Sequence, residues 1–411
     1  MAYQNQAQKN ISADVLVVGG GFIGAVIAKV LTSIPLRVVV VEKHDPAADL
    51  EGAADGRAFA IAPSSQRLLA RTGIWPDLAV VATPILDIRV SDGFSRLFLH
   101  YDHGEIGDNP LGFMLENDHL RRSLYKTMST TDGLELLAPA RLTSIERTPD
   151  GVVAELADGR QISTALVIAA DGRGSSTRKM AGINLTGWRY KQTAIICTIG
   201  HQLSHDCVAH ERFLPAGPFA ILPLLGDRSA IVWTETTSLA PEMLSLDDAA
   251  FLLELKRRVG DFLGELKVIG PRFSHPLGLQ IAQNSIAERL ALVGDASHAM
   301  HPIAGQGLNM GLRDVAALAE VIADAHRLGL DFGSTTVLDR YARWRRFDNT
   351  LMLAATDGLN RLFSNAVPPV RLARDLGLAV INQIPPLKRT LMRHAIGVVG
   401  DLPRLLRGEM L

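Results

Sequence analysis

The chain has 411 residues, enough for one large or two moderate domains with an ample core. Its 42 lysines and arginines against 43 acids leave a formal net charge of −1, so no field exists to gather nucleic acid. The two cysteines, Cys197 and Cys207, sit in no metal or redox spacing, and MAYQNQAQKNIS lacks a signal-peptide core. No apolar run approaches the roughly 20 residues of a membrane-spanning helix, and no internal repeat is visible. These features predict a cytoplasmic protein that works on small molecules.

ADVLVVGGGFIGAVIAKVL predicts a buried strand over 14–18, a glycine turn and a helix. Gly19, Gly21 and Gly24 have the G-x-G-x-x-G spacing. The first allows a tight turn, the second lets a pyrophosphate approach the backbone, and the third lets helix pack closely on strand. N–H groups at the helix start then hold the diphosphate. The next strand, LRVVVVE, ends in Glu42, about 20 residues on, where an acid accepts bonds from an adenosine ribose. An acid at that point favours NAD or FAD over NADP.

Arg57, in DGRAFAI, precedes a predicted helix in APSSQRLLARTG; its guanidinium is a candidate partner for a diphosphate, with a surface ion pair as the plainer reading. In ENDHLRRSL, Asn117 reads as a helix N-cap and Arg121 follows in the first turn. TALVIAADGRGSSTRKMAG predicts another strand, ending at Asp171-Gly172, then Ser175 and Arg178 at a helix start. Asp171 suits a ligand or a cap on its own turn, and Arg178 a ligand or a tie to Asp171. Residues 81–111 and 183–284 break this pattern. WRYKQTAIICTIG, AHERFLPAGPFAILPL and RSAIVWTE alternate like antiparallel strands, and PEMLSLDDAAFLLELKRRVGDFL reads as a helix pair at their margin. Phe213, Pro223 and Trp233 are candidates for lining an apolar pocket there.

LALVGDASHAMHPIAGQGLNMGLRD, 290–314, is the third return to a strand followed by a turn. Its histidines, His298 and His301, are three apart in a proline-containing loop without a cysteine or carboxylate cluster, so no metal site is predicted. No Lys-Ser/Thr pair follows the glycines, which excludes a phosphate loop of the nucleotide-triphosphatase kind. Asp295, at a strand end, suits the hydroxyls of a sugar alcohol. Gly305, Gln306, Gly307 and Leu308 predict a helix start, with Asn309 inside, whose N–H groups and dipole suit a flat, anionic ring. His298 reads as a hydrogen-bonding loop residue, and His301 and Pro302 as candidates for the ring face. From 331 onward the chain reads as helical. Its basic end, with Lys388, Arg389, Arg393, Arg404 and Arg407, suits anionic lipid, a partner protein, or packing with the bases solvated.

One ligand touched at three distant points must be long, and FAD is long. The G-x-G-x-x-G, the D-G-x-x-S-x-x-R at Asp171 to Arg178 and the G-D at Gly294-Asp295 resemble the three fingerprints of class A flavoprotein monooxygenases of the p-hydroxybenzoate hydroxylase type. DGRAFAIAPSSQRLL, LGFMLENDHLRRSL, AHERFLPAGPFAILPL, HPIAGQGLNMGLRD and RWRRFDNTLMLAATDGLNRLF narrow the resemblance to the ubiquinone-biosynthesis hydroxylases, over nearly the whole chain.

The resemblance implies an α/β fold: a Rossmann-like FAD-binding domain from 1–80, 112–182 and 285–330, an antiparallel substrate domain from 81–111 and 183–284, and a helical region over 331–411. It implies that Arg57 covers the FAD diphosphate, Arg121 reaches the adenosine side, Asp171 lies near the diphosphate and Asp295 binds ribitol. The expected reaction is ring hydroxylation of a polyprenylated phenol by dioxygen through a flavin C4a-hydroperoxide, with electrons from NAD(P)H or a ferredoxin-type protein. No residue pattern offers a protein nucleophile or names a base. Contact with the inner face of the membrane or with a quinone-synthesis complex is a further expectation. An FAD-dependent reductase of an isoprenoid or quinone-type substrate, or a non-catalytic FAD-binding subunit of such a complex, are the alternatives. The isolated tryptophans exclude the W-x-W-x-I-P string of a flavin halogenase.

Overall fold

The computed structural model describes residues 10–51, 55–93, 95, 97–364, 374, 377, 380–395, 397 and 400–411. Residues 1–9 of the N-terminal stretch read for a leader therefore lie outside the described residues, as does part of the expected helical end. Six short strands form a mainly parallel sheet in the order Ile286–Ala287, Leu290–Leu292, Leu166–Ala169, Val15–Val18, Val38–Val41, Leu134–Leu137. Its central strands are four-residue aliphatic runs buried at every position, as a sheet covered on both faces requires. The period of two assigns the faces. Val15, Val17, Val38 and Val40 pack with the helices Phe22–Leu31, Asn117–Thr130 and Gln306–Arg327. Leu16, Val18, Val39 and Val41 pack instead against a four-stranded sheet built from Asn10–Ser12, Gln161–Thr164, Gly151–Leu156 and Leu142–Thr148.

The second large sheet has eight strands in the order His298–Ala299, Leu266–Ala282, Leu185–His201, Arg228–Thr236, Gly217–Leu224, Val208–Leu214, Asp87–Asp92, Phe98–Asp102. Alternation predicts antiparallel pairing, and one junction departs from it. Val208–Leu214 runs parallel to Asp87–Asp92, because these strands are far apart in sequence and no hairpin dictates their direction. One face of this sheet packs on the helices Ala240–Ser245 and Asp248–Val259 through Ile195, Phe219, Ile231 and Trp233. Its other face looks into the cavity described below.

A small antiparallel sheet of Ala58–Ile61, Gly112–Glu116 and Thr83–Ile85 lies against the start of the Gln306–Arg327 helix. The helix Thr335–Phe363 packs along Gln306–Arg327. At the basic end, Lys388 pairs with Glu105 at 2.5 Å, and Arg404 pairs with Glu320 at 3.1 Å and with Asp324. These two bases are therefore held by carboxylates within the fold instead of being solvated, while Arg407 pairs with Glu409 and Arg389 is exposed. The side chain of Arg393 lies outside the described residues. Among those described, no helix is long and apolar enough to cross a membrane.

Candidate functional site

The three glycines of the first turn have separate steric tasks. Gly19 has φ +103°, and a side chain there would meet the Ala170 carbonyl oxygen at 2.5 Å; one at Gly24 would meet the Gly19 oxygen at 1.8 Å. A side chain at Gly21 would meet nothing within 4 Å, so this is the side left open for a ligand. Glu42 shapes the same turn: its Oε2 accepts from the Gly20 N–H at 2.7 Å and its Oε1 from the His44 N–H at 3.0 Å. A carboxylate keeps lone pairs for further donors beyond these two.

The second segment is mostly self-held. Asp171 accepts from the Ser175 hydroxyl at 2.5 Å, the Thr177 N–H at 3.1 Å and the Thr177 hydroxyl at 3.0 Å. Its carboxylate therefore caps its own turn, and the cavity wall here is formed by its neighbours Ala170, Gly172 and Arg173. Arg178 is buried and donates to the Ala296 carbonyl at 2.7 Å and the Arg173 carbonyl at 3.1 Å, binding the second segment to the third. Its connection to Asp171 runs through Ser175.

In the third segment Gly294 turns with φ +59° and Asp295 faces the cavity, exposed. Beneath it lies a buried network that no local spacing announced. Asp314 accepts from the Gly294 N–H at 3.0 Å, from His298 Nε2 at 2.6 Å and from Arg345 Nε at 2.9 Å. Burial alone would raise the Asp314 carboxyl, but His298 and Arg345 hold it down at about 2. The Tyr341 hydroxyl adds a bond to the Leu292 carbonyl at 2.7 Å. His298 is thus a structural donor, and among the described residues no group of three or more His, Cys, Asp or Glu could hold a metal ion.

These segments border one cavity of about 1340 Å³, larger than the roughly 300–1,000 Å³ of an ordinary small-ligand pocket. One side is formed by Gly21–Ile23, Arg57–Ala62, Val293–Asp295, Pro302 and Gly305–Asn309. The Gln306–Arg327 helix begins there at Gly305, φ +60°, with no side-chain cap and no acid in its first turn. Its leading N–H groups and positive dipole end are left for a ligand. Asn309 anchors this start, its Oδ1 accepting from the Ala62 N–H and its Nδ2 donating to the Ala60 carbonyl, each at 2.9 Å. An elongated ligand with a diphosphate, a polyol and a ring fits the open face at Gly21, the free Asp295 carboxylate and the uncapped helix start, a set of donors and one acceptor that suits FAD.

The opposite side is the second sheet, and strand parity decides which residues reach it. Ile196, Val232, Ala220, Glu211 and Val90 stand abreast on neighbouring strands and all line the cavity. Phe213 shares this parity and stacks on Phe363 with ring centroids 4.1 Å apart. Trp233 and Pro223 have the opposite parity, which corrects the expectation that they line the pocket. Trp233 is buried among the helices behind the sheet, with the Arg258 guanidinium 4.0 Å from its ring centroid, and Pro223 pairs with Ser229 on that same far face. His301 also departs from expectation. Pro302 lines the cavity, but His301 is fully buried away from it, its ring set edge-on to Tyr190 at 5.4 Å and neither nitrogen hydrogen-bonded.

Arg57 lines the cavity and also donates to the Asp55 carboxylate at 2.9 and 2.6 Å, so the ion-pair reading and the wall position coexist. Asn117 is not the cap of its helix, which Glu116 precedes; its Nδ2 holds Asp55 at 2.7 Å. Arg121 is half-buried in that helix and does not border the cavity. Glu211 escaped the sequence reading, although it sits in the quoted AHERFLPAGPFAILPL at the parity of Phe213.

The fold is that of the flavin monooxygenases: p-nitrophenol 4-monooxygenase from Pseudomonas putida superposes with a TM-score of 0.78 over 94% of this chain and 98% of that one, at 22% identity. The sequence profile of the FAD binding domain matches residues 12–353. Over 96% of its length the chain is 51% identical to the ubiquinone hydroxylase UbiL of Rhodospirillum rubrum, covering 93% of that protein. It is 32% identical, over 95% of its length, to the whole of the 3-demethoxyubiquinol 3-hydroxylase of Escherichia coli. The chain belongs to the ubiquinone-biosynthesis hydroxylases, a family of FAD-binding class A monooxygenases.

Two outcomes follow from this geometry. With the ribitol role expected of Asp295, Asp295→Ala would remove a charged acceptor worth about 1.5–3 kcal/mol, and FAD affinity by fluorescence titration should fall about tenfold to a hundredfold. Burial lowers the His301 pKa from 6.5 to about 4, so the unfolded chain binds this proton more readily. Its contribution is present above 6.5 and is lost as pH falls toward 4. The thermal midpoint of His301→Phe should accordingly decline less steeply than that of the wild type over this interval.

Proposed function

We propose that this chain is an FAD-dependent monooxygenase that hydroxylates the aromatic ring of a polyprenylated phenol in ubiquinone biosynthesis, one atom of dioxygen entering the ring and the other leaving as water. The observation that carries this reading is a single cavity joining a backbone-rich, FAD-shaped side to a nearly all-apolar sheet wall. Bound FAD supplies the electrons that activate dioxygen.

The chain's own residues do the positioning. The N–H groups of Gly307 and Leu308, at a helix start that no side chain caps, would hold the ring edge of bound FAD where negative charge gathers. Ile196, Ala220, Val232 and Val90 keep water from the reacting ring and give a greasy substrate an apolar surface. NAD(P)H or a ferredoxin-type protein is the electron donor in this reading. On the Thr335–Phe363 helix, Phe347, Leu351, Leu359 and Leu362 form an exposed apolar stripe, and the last two also line the cavity. That continuity supports peripheral contact with the inner face of a membrane, where a prenyl tail resides.

Incubation of FAD-loaded protein with a short-chain prenylphenol, isotopically labelled dioxygen and each candidate donor tests the assignment. The expected product carries one labelled oxygen on its ring for each dioxygen consumed. Substrate reduced without dioxygen would establish a reductase, and no turnover with any donor a binding subunit.

A further inference from the structure

The strand Val208–Leu214 places one acid in a sheet wall that is mostly apolar. Arg212 turns to the far face and donates to the Arg258 carbonyl at 2.6 Å, while His210, packed on Phe262 with centroids 4.7 Å apart, still borders the cavity. Ala209, Glu211 and Phe213 face the cavity. Glu211 pairs with Ala220 on one side and with Val90 on the other, and beyond these stand Val232 and Leu99. Among the described residues the Glu211 carboxylate has no hydrogen-bond or ion-pair partner. It is open to the cavity yet deep inside the molecule, and burial pushes its pKa up to about 7.

Other charges around it are accounted for. Arg89, in register with His210, lies on the far face beside Phe98. Asp92, at the inward end of its strand, is paired with Arg374 at 2.7 Å. Tyr101, on the outermost strand, is held neutral by burial, its pKa raised to about 12. The strand Gly217–Leu224 brings no charge. Arg57, Arg173 and Asp295 border the cavity outside this wall, and His275, opposite Ala194 on the strand Leu266–Ala282, borders it at the other side of the same sheet.

A lone acid in an apolar wall needs an occupant of the cavity that hydrogen-bonds it. We propose that Glu211 is the general base of the hydroxylation: its carboxylate accepts the hydrogen bond of the substrate's ring hydroxyl and takes its proton. This rests on the hydroxylase reading above. The phenolic O–H bond breaks, an O–H bond forms on the carboxylate, and the negative charge moves to the phenolate oxygen; no electron changes owner in this step. The phenolate pushes electron density into the ring carbons ortho and para to it, where an electrophilic oxygen is accepted. A carboxylate made more basic by its surroundings narrows the gap to a phenol near pKa 10, and the same contact orients the ring while apolar neighbours hold the tail.

The test compares a short-chain prenylphenol with its methyl ether, each titrated into oxidised FAD-loaded protein and followed by the flavin spectrum across about pH 5 to 9. Wild type should prefer the phenol by about tenfold above pH 7, with the preference fading below it as Glu211 gains a proton. Glu211→Gln should lose the preference and its pH dependence while keeping flavin content and ether affinity. In turnover its kcat should fall by about 10²–10⁴-fold, and Glu211→Asp should recover part of it. A Glu211→Gln protein with the wild-type preference, pH profile or kcat overturns the proposal. Wild-type protein that binds FAD but neither ligand overturns the hydroxylase reading, and this inference with it.

Discussion

A single buried carboxylate fixes the geometry on which this site depends. Asp314 binds the Gly294 N–H, His298 and Arg345 together, so a strand end, the short strand His298–Ala299 and two long helices meet at one point. Breaking such a set by removing one charge costs about 3–5 kcal/mol, because its partners remain buried without compensation. Asp295 follows directly on the clamped Gly294, and the helix start at Gln306 lies about two turns before Asp314. The cavity-facing acid and the uncapped N–H groups are therefore held at a set distance before any ligand arrives. Arg178 extends the clamp to the second segment through the Ala296 carbonyl.

The site is otherwise a product of two sheets with opposite demands. The parallel sheet must be covered on both faces, so its strands read as unbroken aliphatic runs and its ligand-facing groups come from the turns at strand ends. The larger sheet keeps one face for helices and offers the other to the cavity, so its chemistry follows alternation. A polar, backbone-lined side thus faces a smooth apolar one. That contrast is what a long charged cofactor and a hydrophobic ring require when both occupy one space.

Much of the fold was legible because its signals are local. Val15–Val18, the glycine turn and the helix after it form one uninterrupted pattern, and each glycine's steric role can be stated before any coordinate is known. The helix start at Gly305–Leu308 was legible for the same reason. Parity and distance hid the rest. Trp233 and Pro223 looked suitable as aromatic and rigid residues, but each stands one position away from a residue that faces the cavity, and a one-residue shift reverses the face. The same alternation, anchored on Phe213, would have found Glu211. His301 and Pro302 diverge within a single turn. Asp171 was legible as a ligand neighbour or as a cap on its own turn, and its serine and threonine neighbours show the cap. Asp314 and Arg345 are 31 residues apart, and no local spacing links them.

Hydrogen exchange measured on the apoprotein and again after FAD addition tests most directly whether three distant segments close on one cofactor. The account predicts slowed exchange in all of them together: at Gly20–Ile23, at Gly294–Ala296 and at Gly307–Asn309. Protection confined to the first segment, with the start of the Gln306–Arg327 helix unchanged, would contradict it.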